Sequence, residues 1–194
     1  MSVVCNVVST AGTWLMCDGR AQKNGKIVSE HLKKFRAINK NVLVGFTGVL
    51  EIANAAFDCI NKKCDQFELK NAKSDAFANI LSDVLKKSNI QSADATNFVV
   101  TGLSSFEDFR SYVVMQSGQM QCFAPTSGND VKYVTLGDLP ENIHMHECLS
   151  NSIKKYGFTE AGIISGMQDY IYSLAEQRSS INKNITMAKI LGQH

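Results

Sequence analysis

A serine at position 2, an aspartate at 18, a lysine at 34 and a glycine at 48 could together open an amide bond. A small residue at position 2 favours removal of Met1, which would leave Ser2 with both a hydroxyl and an α-amine of its own. That amine has an ordinary pKa of about 7.7–8.0, so much of it acts as a base near neutral pH. Nucleophile and base then come in one residue. If Met1 stays, the nitrogen is an amide and the chemistry is lost. Asp18 ends the apolar run TWLMC, which puts a carboxylate near the start of the preceding strand. Lys34 opens a later strand. Buried there and held by Asp18, its ammonium would lower the pKa of the hydroxyl and of the amine. Gly48, in VGFTG at a strand-to-helix turn, can offer a backbone N–H to a developing oxyanion. Each residue alone has an ordinary explanation: a convenient start, a turn, a solvated lysine, the opening of a helix. Their joint order and spacing raise the chemical reading above those explanations.

The elements that must position them follow from patterning. SVVCNVV and TWLMC, joined by the STAG turn, read as a hairpin that is apolar on both faces and therefore buried on both sides. DGRAQKNGK is polar and glycine-bearing, hence a loop. KIVS, KKFRAI and NVLVGF read as three more strands, so the first 46 residues suggest one meandering sheet. Apolar positions 49, 50, 52, 53, 56, 57 and 60 have helical spacing. A second helix is expected from about Ser74, as N-cap, to Lys87. Strands return at TNFVVTGL, FRSYVVMQ, MQCFA and VKYVTLG. Helices are expected at about 141–156 and 159–178, the latter capped by Thr159, and NITMAKI closes the chain as a strand. Strands apolar on both faces need cover on both sides. Two sheets packed on each other, with a helix pair outside each, satisfy that. The fold class is therefore α+β, a four-layer αββα sandwich, with residues 1–194 as a single domain.

Composition narrows the function classes. The chain has 194 residues, of which 44% are hydrophobic and 20% charged, ordinary for a soluble globular protein. A net charge of +2, with 20 Lys and Arg that form no basic block, does not suggest nucleic acid. No apolar stretch approaches the roughly 18 residues of a membrane span. The N-terminal run is broken by Asn6, Ser9 and Thr10 and has no basic flank, so it does not read as a signal peptide. Cysteines at 5, 17, 59, 64, 122 and 148 form no C-x-x-C and read as reduced, mostly buried thiols of a cytoplasmic protein. His144, His146 and Glu147 read as surface at a helix start, and no metal or organic cofactor is expected.

The run Asp18-Gly19-Arg20-Ala21, followed by IVSEHLKKFRAINKNVLVGFTGV, resembles the proteasome β-subunit family and its bacterial relative, the heat-shock ring peptidase. The resemblance rests on a nucleophile at the mature start, a G-D-G-x-A-like strand end, a Lys-Lys pair before an apolar strand, and G-x-x-G leading into the first helix. It covers residues 2–60 and beyond them rests on element order. It implies the αββα fold reached above from patterning. It implies a hydrolase of the N-terminal-nucleophile type that cuts peptide bonds through an acyl-enzyme on Ser2. Asp18 and Lys34 would be the supporting charge pair, Gly48 the oxyanion donor, and Arg20 a brace for the Asp18 loop. Ala21, Leu32, Phe46 and Leu50 fall where such proteins line the first specificity pocket, although Phe46 and Leu50 read equally well as core. The resemblance further implies self-association into a homo-oligomeric ring, a peptide or unfolded-protein substrate, and an ATP-dependent unfoldase as partner. Two segments depart from the family. TLGDLP puts Asp138 where a G-S-G loop is usual. EQRSSINKNIT replaces the usual Asp and S-G-G and is closer to the T-N-x-N-x-T style of the bacterial peptidase. These departures keep two alternatives open: a non-catalytic structural subunit of the same fold, and a small-molecule amidase on it.

Overall fold

Every residue of Val3–Ser9 (β1) and Gly12–Asp18 (β2) is buried in the computed structural model, which describes residues 3–23, 26–87, 95–137 and 139–192. The further elements are Ala21–Lys23 (β3), Lys26–Ser29 (β4), Phe35–Asn39 (β5), Val42–Thr47 (β6), Leu50–Lys63 (α1), Gln66–Asn71 (α2) and Ser74–Lys87 (α3). They continue with Asn97–Leu103 (β7), Phe109–Val114 (β8), Met120–Phe123 (β9), Lys132–Gly137 (β10), Met145–Tyr156 (α4), Glu160–Gln177 (α5) and Ile185–Leu191 (β11). One sheet has the order β10-β1-β2-β11, a second β5-β6-β7-β8-β9, and β3 with β4 forms a separate two-stranded ribbon. All pairings are antiparallel.

Because side chains alternate across a strand, β1 feeds two cores at once. Val3, Cys5 and Val7 pack with Trp14, Met16 and the apolar stripes of α4 and α5. Val4 packs with Leu15, Cys17, Phe35, Leu43 and Val99 between the sheets. The far face of the second sheet carries Val42, Val44 and Phe46 against α1 and α3. Three cores separate four layers, which is the αββα sandwich expected from two-faced apolar strands. Between the sheets lies a fully buried polar knot. Asn6 Nδ2 donates to Thr13 Oγ1 at 2.9 Å and to Thr101 Oγ1 at 3.3 Å, and Thr101 meets Ser111 at 2.8 Å. These bonds tie the register of β1 and β2 to that of β7 and β8.

Several local expectations change. The first five expected strands do not form one meander. β1 pairs with β2 and β10, while β5 and β6 belong to the other sheet. Ala21–Lys23 is a strand, not loop. Helix α2 was not expected; it carries no buried residue and is secured by a capping box between Asp65 and Glu68. Ser74 is the first residue of α3 rather than its cap, and its hydroxyl donates to the Gly102 carbonyl at 3.2 Å. Helix α4 begins at Met145, not near 141. Of the cysteines only Cys5 and Cys17 are buried, and Cys122 is exposed. No helix among the described residues is long and apolar enough to cross a membrane.

Candidate active site

Asp18 is the last residue of β2, and its carboxylate turns toward the beginning of β1. Oδ1 accepts the Val3 N–H at 2.9 Å, and Oδ2 accepts the Arg20 N–H at 3.0 Å. Lys34 immediately precedes β5, and its carbonyl accepts the Phe46 N–H at 3.0 Å. Its Nζ donates to Asp18 Oδ1 at 2.6 Å, with the two side chains 3% and 0% exposed. Burial pushes Lys34 below the ordinary lysine range, while the facing Asp18 carboxylate pulls the other way by favouring the charged form. An ammonium whose proton is loosened by burial, and which is anchored at one oxygen, suits electrostatic support of a nucleophile beside it. Ser2, the expected nucleophile, lies outside the described residues, as does Met1. In the sequence Ser2 is one peptide bond from Val3, whose N–H sits on Asp18.

Gly48 lies in the turn from β6 to α1 with φ +95°, a conformation that strongly favours glycine. A Cβ there would stand 2.4 Å from the Ala95 carbonyl oxygen and 2.8 Å from Thr96 Cα. The turn is pinned by the Val49 N–H donating to Thr96 Oγ1 at 3.0 Å. Gly48 follows Phe46 by two residues, so the same bond that ties Phe46 to Lys34 relates this turn to the charge pair. Gly48 is exposed.

The expected pocket residues differ in burial and in what they pack against. Ala21 and Leu32 are half-buried at the roots of the β3–β4 ribbon, and the Leu32 N–H donates to the Gly19 carbonyl at 2.8 Å. Phe46 is a core residue, edge-on to Phe57 with centroids 6.4 Å apart, and Leu50 packs on the same cluster. Asp138 lies outside the described residues. The residue before it, Gly137, pairs with Val3 at the end of β10.

The sequence model of the family described as "Proteasome subunit" matches residues 2–121. The chain belongs to the proteasome subunit family. No curated protein matches it. The match takes in Asp18, Lys34 and Gly48 and stops before β10, α4, α5 and β11, so the last third of this proteasome-family chain is characterised by its structure alone.

That last third supplies what residue spacing did not reveal. Asn182 is 6% exposed; its Oδ1 accepts the Gly19 N–H at 2.9 Å and its Nδ2 donates to the Glu30 carbonyl at 2.9 Å and to the Glu30 carboxylate. Arg20 forks onto Glu30, Nε to Oε2 at 3.1 Å and Nη2 to Oε1 at 3.1 Å, and Nη1 donates to the Ser179 carbonyl. Hydrogen bonds from Arg20, and then from Asn182, hold the Glu30 carboxyl below its usual range. The INKN segment stood out in the sequence only as a departure from the family, and nothing there linked it to Glu30.

Other chemistry-bearing residues fall away from the pair or lack a base. Cys17 Sγ lies 3.0 Å from Thr186 Oγ1, and burial pushes its thiol up, which disfavours a thiolate. His144 and His146 are exposed with ring centroids 5.5 Å apart. Among the described residues, no group of three or more His, Cys, Asp or Glu is placed to hold a metal ion.

Proposed function

We propose that this proteasome-family chain is a β-type N-terminal-nucleophile peptidase that acts through an acyl-enzyme on Ser2 once Met1 is removed. The observation that carries the reading is the buried Asp18–Lys34 pair, with Asp18 also holding the first N–H of β1. In the proposed cycle Ser2 Oγ attacks the scissile carbonyl carbon, and its proton passes to the α-amine of the same residue. The oxyanion faces the Gly48 N–H, and the Lys34 ammonium stabilises the negative charge that develops nearby. The protonated α-amine hands its proton to the departing amine, which leaves an ester on Ser2. Water, deprotonated by the same amine, then hydrolyses the ester and regenerates the hydroxyl. Family membership implies assembly into rings in general. A homo-oligomeric ring enclosing the sites, fed with unfolded chains by an ATP-dependent unfoldase, is the arrangement that suits a peptidase.

Intact mass of the protein from its native host, followed by labelling with a peptide that carries an electrophilic warhead, tests the reading. Loss of Met1, a single adduct on Ser2 and its disappearance in Ser2→Ala are expected. Retention of Met1, or undiminished hydrolysis by Ser2→Ala, would refute it. No adduct on a chain that has lost Met1 would favour the structural-subunit alternative.

A further inference from the structure

Arg20 and Lys34, both cations, and Asp18 and Glu30, both carboxylates, meet between the end of β2 and the start of β5. They are sorted in one way: Lys34 on Asp18 at 2.6 Å and Arg20 on Glu30 at 3.1 Å. Chain proximity does not dictate this. Arg20 is two residues from Asp18 and already touches it through its own N–H, whereas Glu30 is ten residues away. The guanidinium fork fits a carboxylate bidentately and sheds water more readily than an ammonium. Arg20 is therefore a strong competitor for Asp18, and a swap would leave Lys34 without its counter-charge.

A distant part of the chain holds both members of the Arg20–Glu30 pair. Asn182 inserts one amide between the two loops, accepting from Gly19 and donating to Glu30. Asn184 Nδ2 adds a bond to the Glu30 carbonyl at 3.2 Å, and Ser179 takes Arg20 Nη1. The three segments touch through bare backbone at Gly19, where a Cβ would stand 2.4 Å from the Glu30 carbonyl oxygen and 3.0 Å from that of Asn184.

We propose that Glu30 and Asn182 are positioning residues that sort the two cations, holding Arg20 on Glu30 so that Lys34 alone faces Asp18 at the start of β1. The inference rests on reading Asp18–Lys34 as the charge pair of a hydrolase, but sorting can be measured without turnover. Glu30→Gln releases Arg20 to Asp18. The expected result is a fall in kcat on the order of 10²-fold with little change in KM, and a displaced Lys34 ¹⁵Nζ resonance in lysine-labelled protein. Arg20→Gln added to Glu30→Gln removes the competitor. It should recover roughly tenfold of the lost kcat and return the Lys34 resonance toward its wild-type position. A clasp that served only to stiffen the loops predicts the opposite, a double variant as poor as Glu30→Gln or poorer. That outcome, or a Lys34 resonance unmoved by Glu30→Gln, overturns the proposal. If Glu30→Gln does not fold, Asn182→Ala loosens the same contact, and Arg20→Gln is again the rescuing change. If the wild-type protein hydrolyses nothing, the hydrolase reading fails and the Lys34 resonance alone decides the sorting.

Discussion

Replacing Asp18 by asparagine should be costly, and in a way that identifies the cause. The carboxylate is fully buried and the Lys34 side chain is 3% exposed, so water cannot take over the lost charge. Breaking a buried pair from one side typically costs about 3–5 kcal/mol, because the remaining charge is stranded. For a chain of this length each kcal/mol moves Tm by about 2–4 °C, so Asp18→Asn should melt about 6–20 °C lower. Adding Lys34→Met removes the stranded charge while keeping the stem's volume, and the amide oxygen introduced by Asp18→Asn can still accept the Val3 N–H. The double variant should therefore regain about 2 kcal/mol over Asp18→Asn. The pH dependence has a defined sign. Burial already lowers Lys34 in the folded protein, and losing Asp18's attraction lowers it further, while the unfolded value stays ordinary. Between the two values the unfolded chain binds more protons, so stability rises with pH. The deficit of Asp18→Asn is thus largest below the folded Lys34 value and shrinks as pH climbs toward the ordinary lysine range. Urea unfolding followed by circular dichroism at a series of pH values measures all of this. A deficit under about 1 kcal/mol, independent of pH, or single effects that simply add in the double variant, would refute the reading of a stranded buried charge.

Hydrolysis should fall at alkaline pH as Lys34 loses its proton, with a midpoint below the ordinary lysine value of 10.5 because burial favours the neutral amine; a kcat plateau that persists above that value counts against a catalytic Lys34. Gly48→Ala should cost about 1–3 kcal/mol of stability through backbone strain. It should also lower kcat by about 10²–10³-fold by displacing the oxyanion donor; steady-state kinetics showing a change in KM alone would contradict that role. Thr101→Val leaves Asn6 and Ser111 short of a partner in the inter-sheet knot and should cost about 1–3 kcal/mol in urea unfolding, with hydrolysis unchanged per folded molecule.

The layers were legible because burial writes itself into periodicity. VVCNVVS has no polar face, and a strand with no polar face must lie in the middle of something. The stripes of α1, α3 and α5 likewise report one buried face each. Partner choice left no such trace. Nothing in the period of β1 says that it lies beside β10, more than 120 residues later, so neighbouring strands looked like one meander. Elements that bury little were also hidden. Helix α2 has no buried residue, and only its Asp65-Gln66-Phe67-Glu68 capping box marks it locally. Strand β3 is built from residues that read as polar loop, and its partner β4 leaves Val28 62% exposed.

The site divides along the same line. Asp18, Lys34 and Gly48 belong to strand ends and turns that patterning marks in the chain, so spacing could suggest them. Phe46 could not be assigned that way, because its position fits a pocket wall and a core equally; the structure adds that its ring packs edge-on to Phe57. Glu30 and Asn182 are 152 residues apart and meet only because β11 pairs along β2, which brings the segment before β11 against Asp18 and its turn. A sequence can display two cations and two carboxylates without displaying which takes which. That assignment matters most to the proposed mechanism, in which a lysine beside the nucleophile is useful only if the neighbouring arginine is kept off its carboxylate. In the proposed sorting, the amide that keeps it off is that of Asn182, which bonds Gly19 and Glu30 from a segment beyond the residues that the family model matches.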